Sequence, residues 1–204
     1  MKLLLFDFDG VLVESLDIYE KAVGLSLTRM NKPLTRGRED FLELFDGNFY
    51  ESLAKRGVDL KKFMEISGDL LVQIDYKEMQ PVTAMIAVVA KLQKNNILLV
   101  ISSNHSKTIQ IALEQFKFNG YFQEVLGSDF LLSKKDKMLY ATKKFQIAQE
   151  DIYYIGDTTG DIAEGRAAGV KTVGVTWGWH SKEKMAAAKP DYLVNQPQEL
   201  LQLN

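Results

Sequence analysis

The chain has 204 residues, 46% hydrophobic and 25% charged, a balance that suits one soluble domain, or one core carrying a small insert, and excludes disordered, collagen-like and disulfide-built proteins. With 25 basic and 27 acidic side chains the formal net charge is −2, and the lysine-rich stretch Lys134-Lys135-Asp136-Lys137 is interrupted by an acid, so no nucleic-acid-binding face is expected. Zero cysteines exclude disulfides, thiolate zinc sites and cysteine nucleophiles, and only two histidines, His105 and His180, leave catalysis at neutral pH to carboxylates, hydroxyls and lysine.

Residues 2–8 read as an opening strand. Asp7 and Asp9 break its apolar run before a signal-peptide core is complete, and no other apolar run is long enough to span a bilayer, so the expected location is cytoplasmic. Residues 15–80 contain no β-branched run. Instead Leu16, Ile18, Tyr19, Ala22, Val23 and Leu27 recur at helical spacing, as do Phe41, Leu44 and Phe45, and then Phe63, Ile66, Leu70 and Ile74. Breaks at Lys32-Pro33, Asp46-Gly47-Asn48 and Gly57-Val58-Asp59 divide this stretch into three or four helices. From Pro81 onward helices predicted at 82–95, 106–116, 136–145 and 159–168 alternate with strands at 97–101, 124–126, 152–155, 170–175 and 192–194. Such alternation predicts βαβ units and an α/β, Rossmann-like three-layer core with a mainly parallel sheet, built from 1–14 and 81–204, with an all-helical insert at 15–80.

Four polar signals fall where strands end, the place where open α/β sheets bind ligands. Asp7-Phe8-Asp9-Gly10-Val11 closes the first strand. Residues two apart share a face of an extended chain, so both carboxylates can point at one site, and Gly10 permits the turn that follows. The pair reads as a nucleophile or metal ligand beside an acid or base, or as two solvated turn aspartates. Ser102-Ser103-Asn104 offers a hydroxyl and free amides for an anion, or a plain helix cap. Lys134 is a compact charge suited to phosphate, although each lysine of its stretch also reads as part of a solvated face. In Gly156-Asp157-Thr158-Thr159-Gly160-Asp161 two aspartates bracket a strand-to-helix turn, facing one crevice or serving as helix cap and dipole partner. One shared site accounts for all four, in this order, better than four separate structural roles.

Taken together, Asp-x-Asp-Gly-Val, a serine after an apolar strand, a lysine before a helix and Gly-Asp-x-x-x-Asp resemble the haloacid dehalogenase superfamily, and within it the phosphatase branch whose helical cap follows the first motif. The likeness spans essentially the whole chain, through Ala167-Ala168-Gly169-Val170; Thr176-Trp177-Gly178 and Pro190-Asp191-Tyr192-Leu193 are similar to phosphoglycolate-phosphatase-like members. The cap sequence is the least familiar part. The resemblance implies a Mg²⁺-dependent hydrolase of small phosphomonoesters, such as 2-phosphoglycolate or a sugar phosphate. Asp7 would attack phosphorus and form an aspartyl-phosphate. Asp9 would protonate the leaving alcohol and then activate water. Ser102 and the amides of Ser103 and Asn104 would hold the phosphoryl oxygens, and Lys134 would offset the charge of Asp7 and phosphate. Asp7, Asp157 and the main-chain carbonyl of Asp9 would ligate Mg²⁺, and Asp161 would reach the metal through water or orient its neighbours. Two like unit charges about 4 Å apart at an effective dielectric near 20 repel by roughly 4 kcal/mol, so an anionic nucleophile approaching phosphate needs such cations. An oxygen-rich, histidine-free set suits Mg²⁺ better than zinc.

A dehalogenase needs only its nucleophilic carboxylate, so the presence of Asp9 and Asp157 favours phosphoryl chemistry. The alternatives are a phosphomutase resembling β-phosphoglucomutase and a non-catalytic phosphate-binding regulator; the intact set of acids, serine and lysine speaks against the second. A phosphate-receiver signalling domain has no need for an insert of this size. The insert would close over the site, hinged at Glu14-Ser15 and Gln80-Pro81. The Asp46-Gly47-Asn48 loop reads as an ordinary inter-helix turn or as a specificity loop, with Arg36, Arg38 and Asn48 as candidate substrate contacts; Trp177, Trp179 and His180 read as buried packing or as walls of the site; His105 is expected to start a helix. The expected partner is a small phosphorylated metabolite, with no nucleic acid and no membrane, and the chain is expected to be a monomer or weak homodimer.

Overall fold

In the computed structural model of the protein, which describes residues 1–72, 79–118 and 120–203, β1 (Leu3–Phe6) is followed by the short strand β2 (Val13–Glu14). Four helices come next: α1 (Leu16–Arg29), α2 (Arg38–Glu43), α3 (Phe49–Lys55) and α4 (Leu60–Val72). Ile74, the last member of the α4 pattern, lies outside the described residues. After β3 (Gln80–Pro81) the chain alternates: α5 (Thr83–Leu92), β4 (Ile97–Ile101), α6 (Ser106–Gln115), β5 (Glu124–Leu126), α7 (Lys134–Phe145), β6 (Ile152–Gly156), α8 (Thr159–Ala168), β7 (Lys171–Val175), α9 (Lys182–Ala187) and β8 (Tyr192–Val194).

Six of the strands form one sheet in the order β5-β4-β1-β6-β7-β8, every pair parallel. A strand buried on both faces needs a continuous apolar run, and Leu3-Leu4-Leu5-Phe6 supplies one. Leu4 and Phe6 join Leu98, Val100, Tyr153 and Ile155 on one face, covered by Met85, Val89 and Leu92 of α5 and Ile109 and Leu113 of α6. Leu3 and Leu5 join Leu99, Ile101, Ile152 and Tyr154 on the other, covered by Met138 and Ala141 of α7 and Ala168 of α8. These are the three layers expected, and the fold is α/β and Rossmann-like. Among the described residues no helix is long and apolar enough to cross a membrane.

Helices α1 to α4 interrupt the chain between β1 and α5. Buried Ile18, Tyr19, Ala22, Val23 and Leu27 form the inward stripe of α1, continuous with the core cluster on the β1 face that holds Leu4 and Phe6. The three breaks read from sequence all lie between these helices. The segment enters through β2 and leaves through β3, which pair antiparallel with Val13 opposite Pro81 and Glu14 opposite Gln80. Two-residue strands carry no periodic signal, so this ribbon was not expected; nor were α9 and the 3₁₀ turns at Gln149–Asp151 and Pro197–Leu203. The first strand ends at Phe6 rather than residue 8, because Leu12 N–H donates to Phe8 O and Gly10 N–H to Val13 O, folding the chain into a tight loop.

Candidate active site

Chain order reverses at β1, whose neighbours β4 and β6 are reached by crossovers on opposite sides. That switch point opens a crevice at the carboxyl ends of the strands. Phe6 pairs with both Val100 and Ile155, so Asp7, Ser102 and Asp157 emerge side by side from three adjacent strands. Asp7 is buried; its Oδ1 accepts from Phe8 N–H at 2.7 Å and its Oδ2 from Lys134 Nζ at 2.7 Å. Ser133 caps α7 by accepting from Asp136 N–H, which places Lys134 inside the first turn rather than before the helix, and the same Nζ donates to Asp161 Oδ1 at 2.6 Å.

Asp161 is the most heavily engaged acid. Its Oδ1 also accepts from Tyr154 OH at 2.9 Å, and its Oδ2 accepts from the amides of Asp157 and Thr158 and from the Thr158 hydroxyl. The helix cap of α8 is therefore Thr158, in a capping box with Asp161, and not Asp157. Asp157 stays free of that duty: its Oδ2 accepts from Trp179 N–H at 2.6 Å, and its Oδ1 is buried with no hydrogen-bond partner. Gly10 has φ +73°, and a Cβ there would sit 2.0 Å from Asp157 Oδ2, so both backbone conformation and space require glycine at that turn.

Asp9 Oδ1 accepts from the Ser15 hydroxyl at 2.7 Å. Ser102 and Asn104 do not cap α6; His105 does, as a helix-start residue, accepting at Nδ1 from Lys107 N–H. Asn104 N–H donates to Ser102 Oγ at 3.0 Å and its side chain donates to the Tyr19 hydroxyl, so its amide is already committed. Asp7, Asp9, Ser102, Ser103, Lys134 and Asp157 surround one small cavity, with Phe45, Thr158 and Trp179 completing its wall. Asp161 stands behind it and Asn104 faces a neighbouring cavity.

Burial pushes the Asp7 carboxyl up to about 7, against the pull of Lys134, and the Asp9 carboxyl up to about 6, against the hydroxyls of Ser15 and Ser102 and the charge of Lys134. Burial, reinforced by Asp161 and Asp7, holds Asp157 well above the usual carboxylate range. Burial acts the same way on Asp161, but Lys134, Thr158 and Tyr154 outweigh it and hold that group low. The acids thus outnumber the one cation among them. One oxygen each of Asp7, Asp157 and Asp161 lies within 4.8 Å of the others, and the carboxylate of Asp9 is outside that group. An orphaned buried oxygen on Asp157 in an all-oxygen set fits a hard divalent cation such as Mg²⁺.

Lys137, expected on a solvated face, is fully buried, and its Nζ donates to Ser102 O at 2.6 Å. Its spacing of three from Lys134 puts both amines on one side of α7, a signal present in the sequence. Burial, and then the charge of Lys134, push its ammonium down to about 7 from an ordinary 10.5. Between those values the native chain binds fewer protons at this site than the unfolded chain, so its contribution to stability rises with pH across that window and is lost as pH falls through about 7. The urea midpoint of wild type is expected to rise from pH 7.5 to 9.5 relative to that of Lys137→Met. Parallel pH dependences of the two proteins would show that Lys137 is charged throughout.

The arginines offered as substrate contacts are engaged elsewhere. Arg36 pairs with Glu39 at 2.8 Å, Asp40 at 2.7 Å and Glu43; Arg38 pairs with Glu20 at 2.7 Å and with Asp17. Acids one or two helical turns away, or on α1, neutralise them. Asn48 caps α3 and donates to Glu164 Oε1 at 3.0 Å, so its loop fastens the helices to the core rather than touching the cavity. Gly160 N–H donates to Phe45 O at 2.9 Å, and a Cβ on Gly160 would meet Gly47 O at 2.3 Å. His180 accepts at Nδ1 from Thr159 N–H and donates from Nε2 to Leu42 O, which makes it a neutral strut, held below its ordinary value by burial. Trp179 packs against Tyr19, Phe41 and Phe45 and does wall the site; Trp177 instead donates to Val11 O at 3.3 Å.

An acid–lysine centre at the switch point of a parallel sheet, next to a helical insert, stands where open α/β folds bind their ligands. A profile of haloacid dehalogenase-like hydrolases matches residues 4–175, and the chain belongs to that family. Among similar proteins, a phosphoglycolate phosphatase of Synechococcus elongatus is 27% identical over 212 residues, covering 99% of this chain and 96% of its own. One from Haemophilus influenzae is 26% identical over 223 residues, covering 99% and 97%. Of solved structures, a predicted phosphatase from Clostridium acetobutylicum superposes with TM-score 0.84 at 24% identity over 98% of this chain and 96% of that one. A predicted phosphoglycolate phosphatase from Haemophilus somnus gives 0.77 at 25% identity, over 100% and 97%.

Proposed function

We propose that this chain is a Mg²⁺-dependent phosphomonoester hydrolase working through an aspartyl-phosphate on Asp7, in the cytoplasm, on small phosphorylated metabolites. The observation that carries the reading is the Lys134 bridge from Asp7 to Asp161 beside an unpartnered Asp157 oxygen, all buried where three strands end. The Asp7 carboxylate attacks phosphorus as the ester P–O bond breaks, and Asp9 gives its proton to the leaving oxygen. Asp9 then takes a proton from water, which attacks phosphorus, releases phosphate and restores Asp7. A carboxyl near 6 suits both duties at neutral pH. The Ser102 hydroxyl and the Ser103 amide hold phosphoryl oxygens, while the Asn104 amide fixes Ser102 instead of meeting substrate. Asp7, Asp157 and the main-chain carbonyl of Asp9 would hold Mg²⁺, which supplies charge stabilisation for the phosphoryl group. Asp161, its oxygens filled by donors, orients Lys134 rather than binding metal directly. Residues 15–80 act as a cap on the core of 1–14 and 81–204, excluding water when closed.

The names of the relatives make 2-phosphoglycolate the first substrate to try. Phosphate release from phenyl phosphate is expected with Mg²⁺ and not with EDTA. Because the metal binds only folded protein, Mg²⁺ at a hundredfold excess over its Kd adds about 2.7 kcal/mol, or roughly 5–10 °C in Tm for a chain of this size. Equal release in EDTA, or none from folded protein with Mg²⁺, would reject the reading.

A further inference from the structure

Beside the catalytic cavity lies a second, of about 200 Å³, between α1, α3 and α4 and the strand ends. The two share Asp9, Phe45, Ser103 and Trp179, so the group that protonates the leaving oxygen stands at their junction. Whatever is bonded to that oxygen must extend into the second cavity. Resting on the hydrolase reading above, we propose that the physiological ester carries an uncharged, largely apolar leaving group, an aromatic ring or its equivalent in size, and not a second anion.

Three observations lead there. The wall is aromatic, formed by Tyr19, Phe45, Phe49, Tyr50, Phe63 and Trp179. The tyrosine hydroxyls are tied off, Tyr19 accepting from Asn104 and Tyr50 donating to Ser103 O at 2.7 Å, which leaves rings to face the ligand. Among the described residues no lysine or arginine lines the cavity; its acids are Asp9 and Asp129, with His105 beside the latter. The cap arginines that could have supplied a positive charge are occupied by their own carboxylates. A carboxylate such as that of 2-phosphoglycolate would therefore meet no lysine or arginine among the described residues of this wall, and its polar side chains Ser67, Ser103, Asn104 and Ser128 are outnumbered by rings and by Ala22, Val23 and Met64. Size agrees: an apolar cavity of about 150 Å³ holds benzene, so this one admits a single substituted ring.

The test compares kcat/KM, with Mg²⁺ present, for benzyl phosphate, 2-phosphoglycolate and glycerol 3-phosphate. Acetyl phosphate serves as a small activated reference that needs neither the acid nor the cavity. Benzyl phosphate is expected to exceed each of the other two esters by at least about tenfold, the scale on which apolar pockets discriminate. Ala22→Phe, which fills the cavity from α1, should lower kcat/KM for benzyl phosphate by at least about tenfold and leave acetyl phosphate within about twofold. Ser67→Lys, on the half-buried wall of α4, gives a second reading independent of packing: 2-phosphoglycolate should gain about fivefold or more from the added charge. Hydrolysis of acetyl phosphate with 2-phosphoglycolate or glycerol 3-phosphate equal to or better than benzyl phosphate would overturn the leaving-group assignment and leave the hydrolase reading standing. No release from any of the four by folded protein would overturn both.

Discussion

Asp7→Asn is expected to lower turnover by on the order of ten-thousandfold or more, the scale of removing a covalent nucleophile, with the fold retained. An amide cannot attack phosphorus as an anion, so no phosphoenzyme should be trapped by acid quench of the variant with labelled substrate, while wild type yields one. The structural effect is smaller for a reason visible in the contacts. The two Asp7 oxygens accept from Phe8 N–H and Lys134 Nζ, so an asparagine NH₂ must face a donor in either orientation. Against that loss, a charge whose burial is costly enough to raise the carboxyl to about 7 disappears. The terms oppose, and the Tm should move by no more than a few degrees. A variant that turns over at more than about a hundredth of the wild-type rate would remove Asp7 from the role of nucleophile.

Lys134→Met is expected to damage stability and activity together. The ammonium lies 2.7 Å from Asp7 and 2.6 Å from Asp161 with every partner buried, and both acids hold its proton on more firmly than in water. Removing one member of such a group strands the others, typically at about 3–5 kcal/mol, or roughly 6–20 °C in Tm for a chain of this length. The double variant Lys134→Met/Asp161→Asn should recover part of that stability, because one stranded charge is gone, but none of the activity, because the phosphoryl group still lacks its lysine. Differential scanning calorimetry beside phosphate-release assays separates the two. Unchanged stability in the single variant would mean that the carboxylates find protons or cations without Lys134.

Much of this arrangement was legible before folding. Leu3-Leu4-Leu5-Phe6 and Ile97-Leu98-Leu99-Val100-Ile101 are continuous because both faces of a parallel sheet are covered, and polar residues placed directly after such runs can only emerge at strand ends. The register of β1 with β4 and β6 then brings Asp7, Ser102 and Asp157 together. What escaped depends on partners far away in the chain. Lys137 is buried against the hydropathy of its own side chain because Ser102 O waits 35 residues upstream. Tyr154 reads as a core aromatic until its hydroxyl is seen to donate to Asp161. Arg38 reads as a free cation until α1 presents Asp17 and Glu20 to it. Asn104 offers a free amide until Ser102 Oγ turns back to accept it.

The paired strands β2 and β3 put the first and last residues of the helical insert side by side, and Val82 N–H donates across to Leu12 O at 2.9 Å to close the joint. A stretch whose two ends coincide in space can be exchanged as one cassette without disturbing the frame that receives it. The acids and the lysine around the small cavity belong to the frame, whereas most of the aromatic wall of its neighbour, from Tyr19 to Phe63, is written in the contiguous cassette. Diversification of such a protein therefore needs no new chemistry: one uninterrupted piece of gene can be shuffled to change what is accepted, while the acids and the lysine are inherited intact.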